Sequence, residues 1–408
     1  MSSILTNNSA MVALQTMKKI NINMAATQSE ISTGKSVANA KDNAAVWAIS
    51  KVMESDVKGF KGISDSLNLG SSTIAVAREA SETVTELLTE MKGKIVAAQE
   101  GNVDRAKIQT DVTKLKAQIE SVVGAAQFNG LNLVNGTGSG TVEILSSLDR
   151  SATGVAASSI TVNAQDLSTG AYAANDVFAA GGGNALVSTD ADTFVLALDQ
   201  GGGSDEVTLQ DGATAWGAGD KVSMRFGDKT ASYTITAADI DSGNNSVADL
   251  VAVGLKNSID SLGITDLVVD YDSASPGVLT FTNDGTKDLA VSGQFKNAGS
   301  GGLGALDGID VSTANGAELA LGSIEGLLQT SIDAASAFGS TQKQIDIQSE
   351  FVGKLSDALK SGIGTMVDAN MEETSARLQA LQVQQQLATQ SLSMANQQPQ
   401  NILSLFRG

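Results

Sequence analysis

The glycines of Gly299-Ser300-Gly301-Gly302-Leu303-Gly304 have the G-x-G-x-x-G spacing with which a strand-turn-helix unit cradles a dinucleotide pyrophosphate. No convincing strand precedes them, and Asp307-Gly308 breaks the helix that should follow, so a flexible return linker is expected there. Gly201-Gly202-Gly203-Ser204-Asp205 brushes against a calcium-binding Gly/Asp repeat, but it has no second copy and lacks the later glycine. The acidic pairs Asp205-Glu206 and Glu372-Glu373 read as solvated faces or helix-start charges rather than acid/base dyads. The chain contains no His and no Cys. That removes the commonest general base, zinc-peptidase motifs, thiol nucleophiles, thiolate metal sites and disulfides, leaving only carboxylate, Lys or Ser/Thr chemistry. No catalytic, cofactor-binding or metal-ligating residue is assigned, and the chain is not expected to be an enzyme.

If these residues do not carry the function, the elements around them must. The formal net charge of -19 argues against nucleic acid or an anionic membrane surface as partner. It is unevenly spread: residues 1–140 carry +1, residues 141–317 carry -16 and residues 318–408 carry -4. The middle also holds all three tyrosines and 24 of the 42 glycines. No signal peptide is visible, since Met1–Ser9 is polar and no apolar run follows Lys18 and Lys19. No apolar run approaches the roughly 18–20 residues that span a bilayer. Both a cytoplasmic protein and one exported without cleavage would look like this.

The ends carry an unbroken heptad pattern. Phe60, Leu67, Ile74, Ser81, Leu88 and Ile95 fall seven apart, with Ile63, Gly70, Ala77, Val84, Met91 and Ala98 three residues after each. At ~1.5 Å rise per residue this predicts a rod of roughly 60 Å. A second seam is expected at Ile108, Leu115 and Val122, with Val112, Ile119 and Ala126. A third follows Ile324, Ser331, Phe338, Ile345, Val352, Leu359 and Met366. The extreme ends repeat the device weakly. Met17, Met24 and Ile31 form one row; Met371, Leu378, Gln385 and Leu392 another; Thr374, Leu381, Ala388 and Ala395 a third. Stripes this thin are marginal in isolation. Either the extremes order only when a partner supplies the missing surface, or each docks on its own chain.

The middle reads as β structure. Gly and Asp clusters separate short runs at Phe194–Leu198, Glu206–Leu209, Lys221–Phe226, Ser232–Thr236 and Val278–Thr282, several of which alternate in polarity. Ser246–Leu262 is expected to form one helix on that sheet. An insertion that leaves the flanking arms paired must enter and leave at neighbouring points. Its 177 residues could hold one domain or two.

At both ends the residues stop being generic. Gln28-Ser29-Glu30-Ile31-Ser32-Thr33-Gly34-Lys35 with Ala40-Lys41-Asp42-Asn43-Ala44-Ala45, and Val123–Leu133, closely resemble bacterial flagellin N-terminal sequences. Ala395-Asn396-Gln397-Gln398-Pro399-Gln400-Asn401-Ile402-Leu403-Ser404-Leu405-Phe406-Arg407 resembles the flagellin ending. The resemblance covers about 1–135 and 318–408, and implies an α+β fold. The N- and C-terminal arms would form a long antiparallel coiled-coil helical bundle carrying an inserted β-rich outer module. Residues 1–43 and 362–408 would be inner-tube helices with spokes near Gly34–Asn43 and Ser361–Val367. Residues 44–144 and 318–361 would be the coiled-coil domain, its hairpin supplied by Phe128–Ile144. Residues 145–317 would be the acidic, surface-exposed insert.

The resemblance also implies function: export through the flagellar type III channel and polymerisation of the paired ends into an open helical filament used for motility. Self-assembly would bury Ile4, Leu5, Leu14, Met17, Met24, Ile31, Leu378, Leu381, Leu392, Leu403 and Leu405. Implied partners are further copies of the chain, the export apparatus, a flagellin chaperone, and hook-associated and cap proteins, with no cofactor, nucleic acid or membrane insertion. The location would be extracellular. Flagellins detected by the animal innate receptor carry an Arg-containing helical stretch where this chain reads Met91-Lys92-Gly93-Lys94. Lys keeps the charge but loses Arg's planar fork, so weak recognition is expected. The alternative is a hook–filament junction protein, which shares paired helical ends but forms a short ring. More distant readings are a secreted enzyme with helical arms and a coiled-coil adhesin.

Overall fold

The computed structural model of the chain describes residues 7–137, 140–151, 154–180, 184–241 and 246–405. The N-terminal arm comprises α1 (Asn8–Thr33), α2 (Ala44–Ala98), α3 (Arg105–Ala125) and a small hairpin, β1 (Gln127–Phe128) with β2 (Leu131–Asn132). A longer hairpin follows, β3 (Thr141–Ser151) with β4 (Gly154–Asn163). The insert contains β5 (Phe178–Ala180), β6 (Leu186–Val187), β7 (Thr193–Leu198), β8 (Gly203–Leu209), β9 (Lys221–Phe226) and β10 (Lys229–Thr234). It continues through α4 (Ala237–Ile240), α5 (Val247–Ser261), β11 (Leu267–Tyr271), β12 (Val278–Asn283) and β13 (Leu289–Lys296). A 3-10 turn at Gly304–Gly308 leads into the C-terminal arm, α6 (Ala314–Val367) and α7 (Met371–Leu405). The chain divides into two compact units. One comprises residues up to 65, 147–158 and from 348 onward; the other comprises 66–146 and 159–347.

In the second unit the heptad rows of α2 form the core. Ile63 opens the row just before the unit begins, and within it Leu67, Ile74, Ala77, Ser81, Val84, Leu88, Met91, Ile95 and Ala98 are buried. Ile324, Leu327, Ser331, Ala334, Phe338 and Ile345 of α6 are buried likewise. Lys92–Glu325, Thr85–Ser331 and Arg78–Gln342 contacts pair the two helices in opposite directions. In α3 the buried residues are Val112, Leu115, Ile119 and Val123, with Ala126 buried just past its end, whereas Ile108 and Val122, expected in the seam, are only half-buried. A straight helix drifts by ~20° per heptad, which carries the stripe one residue along by the last turn.

Asn129 (φ 51°) and Gly130 (φ 80°) make the tight turn between β1 and β2, both in the left-handed region that a two-residue hairpin loop requires. The β3–β4 hairpin uses glycine slots in α2. Ile144 lies over Gly70 and, in the first unit, Leu148 lies over Gly59. The sequence boundary at 144/145 therefore falls inside β3.

The insert has two antiparallel sheets, ordered β10-β9-β13-β7-β6 and β11-β12-β8-β5. One continuous core, from Val177 to Phe295, joins the two sheets. Along β9 the alternation predicted from sequence places Val222, Met224 and Phe226 inward. Phe178 and Phe194 meet edge-to-face at 4.9 Å, and α5 closes the core with Val251, Leu255 and Ile259. Strand β13 was not expected. Its Gly293 faces Phe194 across the ladder, and a side chain there would strike the ring.

The inbound and outbound strands of the insert are hydrogen-bonded to each other. Gly170 bridges Ser300, while the Gly301 and Leu303 amides donate to the carbonyls of Thr169 (3.2 Å) and Ser168 (3.0 Å). This corrects the reading of Gly299–Gly304 as a flexible linker: the glycines permit two backbones to touch. A Cβ on Gly301 or Gly302 would collide with the carbonyl oxygen of Ser168 or Asp166.

Candidate assembly surface

Helix α1 starts at Asn7, whose side-chain oxygen accepts the Ala10 amide at 3.0 Å, and stops at Gly34 in the left-handed conformation (φ 68°). The chain then turns. The Ser36 amide donates to the Val367 carbonyl at 2.7 Å, the Ala369 amide donates to Gly34 at 3.0 Å, and Lys35 bridges Asp368. Asp42 accepts the amides of Ala38 and Asn39, and Asn43 caps α2 through the Val46 amide. Helix α6 runs through Ser361–Val367, a stretch expected to be a spoke. Nothing there breaks a helix, because Ile363 and Met366 continue its half-buried face. Only Asp368–Asn370 interrupts it before Asn370 caps α7.

These turns bring α1 and α7 together. Ile20, Leu381, Ala388 and Ala395 are each 8 % exposed, Thr27 and Thr374 are buried beside them, and Met17 and Met24 pack on the edge. The Asn7 side chain donates to the Ala395 carbonyl, and Gln385 donates to Asn21, both at 2.8 Å. The contact is a narrow strip of small and medium side chains. Among the expected self-assembly residues, Leu381 is in the strip, while Met17, Met24, Ile31, Leu378 and Leu392 are half-buried along it. Leu14 points away and is 59 % exposed. Ile4 and Leu5 lie outside the described residues, and Leu403 and Leu405 are described only as helical backbone.

Sequence reading missed a second apolar face. Met11, Val12 and Ile22 on α1, and Val383, Leu387 and Met394 on α7, are all more than half exposed. At ~100° per residue, Val383, Leu387 and Met394 fall within about 40° of one another and roughly opposite Leu381. Met11 and Ile22 are likewise roughly opposite Ile20. The signal was present in the four- and seven-residue spacing, but it was masked by the stronger claim of the inner row. A groove of about 670 Å³ between the helices, floored by Ile20 and Ala388 and walled by Val12 and Leu387, adds to this surface.

The chemistry-bearing motifs have structural roles. Gly201 and Gly202 have positive φ in the β7–β8 turn, and buried Asp205 accepts the Asn184 and Glu206 amides. Glu372 and Glu373 lie in the first turn of α7. Among the described residues no three metal-ligating side chains converge, and no helix is long and apolar enough to cross a membrane. In the stretch singled out for receptor recognition, Met91 is fully buried. Lys92 reaches Glu325 at 2.5 Å and Lys94 reaches Asp111 at 2.8 Å. Hydrogen bonding to Asp111 raises the Lys94 pKa and lowers that of Asp111.

Chain ends that pair through one face and leave a second apolar face bare, around an inserted β module, define a self-associating structural subunit. Residues 4–139 match the bacterial flagellin N-terminal helical region, and residues 321–406 match the bacterial flagellin C-terminal helical region. Flagellin A of Rhizobium meliloti is 35% identical and Flagellin of Brucella melitensis biotype 1 is 30% identical, each over 100% of both chains. The chain belongs to the bacterial flagellin family, the structural subunits of the flagellar filament. Flagellar hook associated protein-3 from Legionella pneumophila covers 78% of this chain and 98% of its own, but at 10% identity and a TM-score of 0.39. The full-length flagellin relatives favour the filament subunit over the junction-protein alternative.

Proposed function

We propose that the chain elongates the filament by docking the bare outer faces of α1 and α7 onto copies already in place. The observation that supports this reading is the pair of opposed apolar faces: the inner one is consumed within the chain and the outer one exposes Met11, Leu14, Ile22, Val383, Leu387 and Met394. Contacts between different patches on successive copies do not close, so they generate an open helix rather than a ring. The subunit works outside the cell after passage through the flagellar export apparatus, delivered by a chaperone and capped by hook-associated and cap proteins. It carries no catalysis. Seeding monomers with filament fragments should give long filaments by negative-stain electron microscopy, and a variant lacking residues 390–408 should give none. Elongation by the shortened chain at the full rate would overturn the assignment.

The same reading extends to innate recognition. With lysines in place of the family's arginines, and with both ammoniums engaged by Glu325 and Asp111, the Met91–Lys94 stretch of α2 offers no bidentate fork. A receptor reporter assay should give a weak response to this protein. A full response at ordinary flagellin doses would sink the idea.

A further inference from the structure

Among the fully buried side chains of α2 and α6, only one layer is polar. Ser81 and Ser331 are both fully buried, flanked by Ala77 and Ala334. Ser331 Oγ lies 3.1 Å from the Ser81 carbonyl and 2.8 Å from Thr85 Oγ1, which in turn lies 2.8 Å from the same carbonyl. Ser81 Oγ donates to Ala77 within its own helix. Either Thr85 donates to Ser81 and Ser331 to Thr85, or Thr85 donates to Ser331 and Ser331 to Ser81. Both arrangements use every hydroxyl proton.

The geometry points to this layer as the register lock that brings the two chain ends into step for assembly. The other layers do not discriminate well between registers. A slip of one heptad, about 10 Å at ~1.5 Å per residue, would exchange Ile324 or Phe338 for Ser331 opposite Ser81 and keep most of the seam apolar. It would also strip the fully buried Ser331 hydroxyl of both its partners across the seam, the Ser81 carbonyl and Thr85, which is costly where water cannot replace them. The Arg78–Gln342 and Lys92–Glu325 contacts also read register, but they lie on the solvent-facing rim and discriminate less. A single polar layer in an apolar seam is the best-attested way for helices to fix their alignment. The consequence follows from chain continuity. Helix α2 begins one residue after Asn43 and α6 ends at Val367, so a slipped pair would take Val367 away from Ser36 and misalign α7 against α1.

The inference rests on the paired ends being the assembly surface, so register and assembly are measured separately. The chain has no native cysteine. Arg78→Cys with Gln342→Cys therefore reports the native register to a short thiol cross-linker. Arg78→Cys with Ala335→Cys or Ser349→Cys reports a slip of one heptad either way. In a Ser81→Ala, Thr85→Val, Ser331→Ala background, cross-linking of a slipped pair should rise about tenfold and seeded elongation should fall about tenfold. Ser331→Ala alone serves if the triple variant loses its helical signal. Ser72→Ala is the control, because that hydroxyl bonds only Asn68 in its own helix. Exclusively native cross-linking in both the triple and the single variant would overturn the lock. Slipped cross-linking with undiminished elongation would overturn its link to assembly.

Discussion

Replacing Leu381 with aspartate is expected to stop filament elongation while leaving the thermal transition of the inserted module unchanged. Leu381 is 8 % exposed and meets Ile20 at the middle of the α1–α7 strip, where few other apolar side chains are buried. The one cation a helical turn away, Arg377, is already paired with Glu373, and a poorly compensated buried charge costs several kcal/mol. Even about 3 kcal/mol lost from pairing of the ends should reduce seeded elongation by about a hundredfold. Leu387→Asp separates the two faces. Leu387 is 56 % exposed, so its charge should leave the α1–α7 pair intact by circular dichroism and still block docking of the next copy. Undiminished elongation by Leu387→Asp would remove the outer face from the assembly surface and leave only the inner strip.

The regular parts of this molecule were legible because their period is simple. Heptads from Leu67 to Ala98 and from Ile324 to Ile345 translate directly into burial, since a helix in an antiparallel pair repeats its contact face every seven residues. Thr374, Leu381, Ala388 and Ala395 were readable as a row for the same reason, and all are buried. What spacing could not reveal was which contacts depend on the absence of a side chain. Gly70 stands in a d position, but only the structure shows Ile144 of a distant hairpin lying over it. Strand β13 was hidden because Gly293 and its polar neighbours dilute the alternation, while Phe194 fills the space above Gly293. The outer faces of α1 and α7 escaped because an exposed leucine or methionine on one chain carries no signal of its own. Only the opposition of two apolar faces on the same helix makes it informative.

The glycine run that first suggested nucleotide chemistry supplies the second large expected effect. Gly302→Ala should destabilise the insert by about 3 kcal/mol, roughly 10 °C in its thermal midpoint for a unit of this size. The added methyl would fall on the Asp166 carbonyl, a backbone atom that cannot rotate away. Relief means parting two strands held by the amides of Gly301 and Leu303, each bond contributing about 0.5–1.5 kcal/mol. It would also disturb Lys296, whose ammonium donates to the Gly302 carbonyl at 3.0 Å and whose pKa is pulled down by burial and by Lys221. Gly326→Ala on α6 should have the opposite sign. A methyl there meets nothing within 4 Å, and replacing a helical glycine by alanine stabilises by roughly 0.5–1 kcal/mol. Calorimetry of the two variants side by side decides the matter. If Gly302→Ala unfolds with the wild type, the two strands are not held in contact, and the run is the loose linker that its composition suggests.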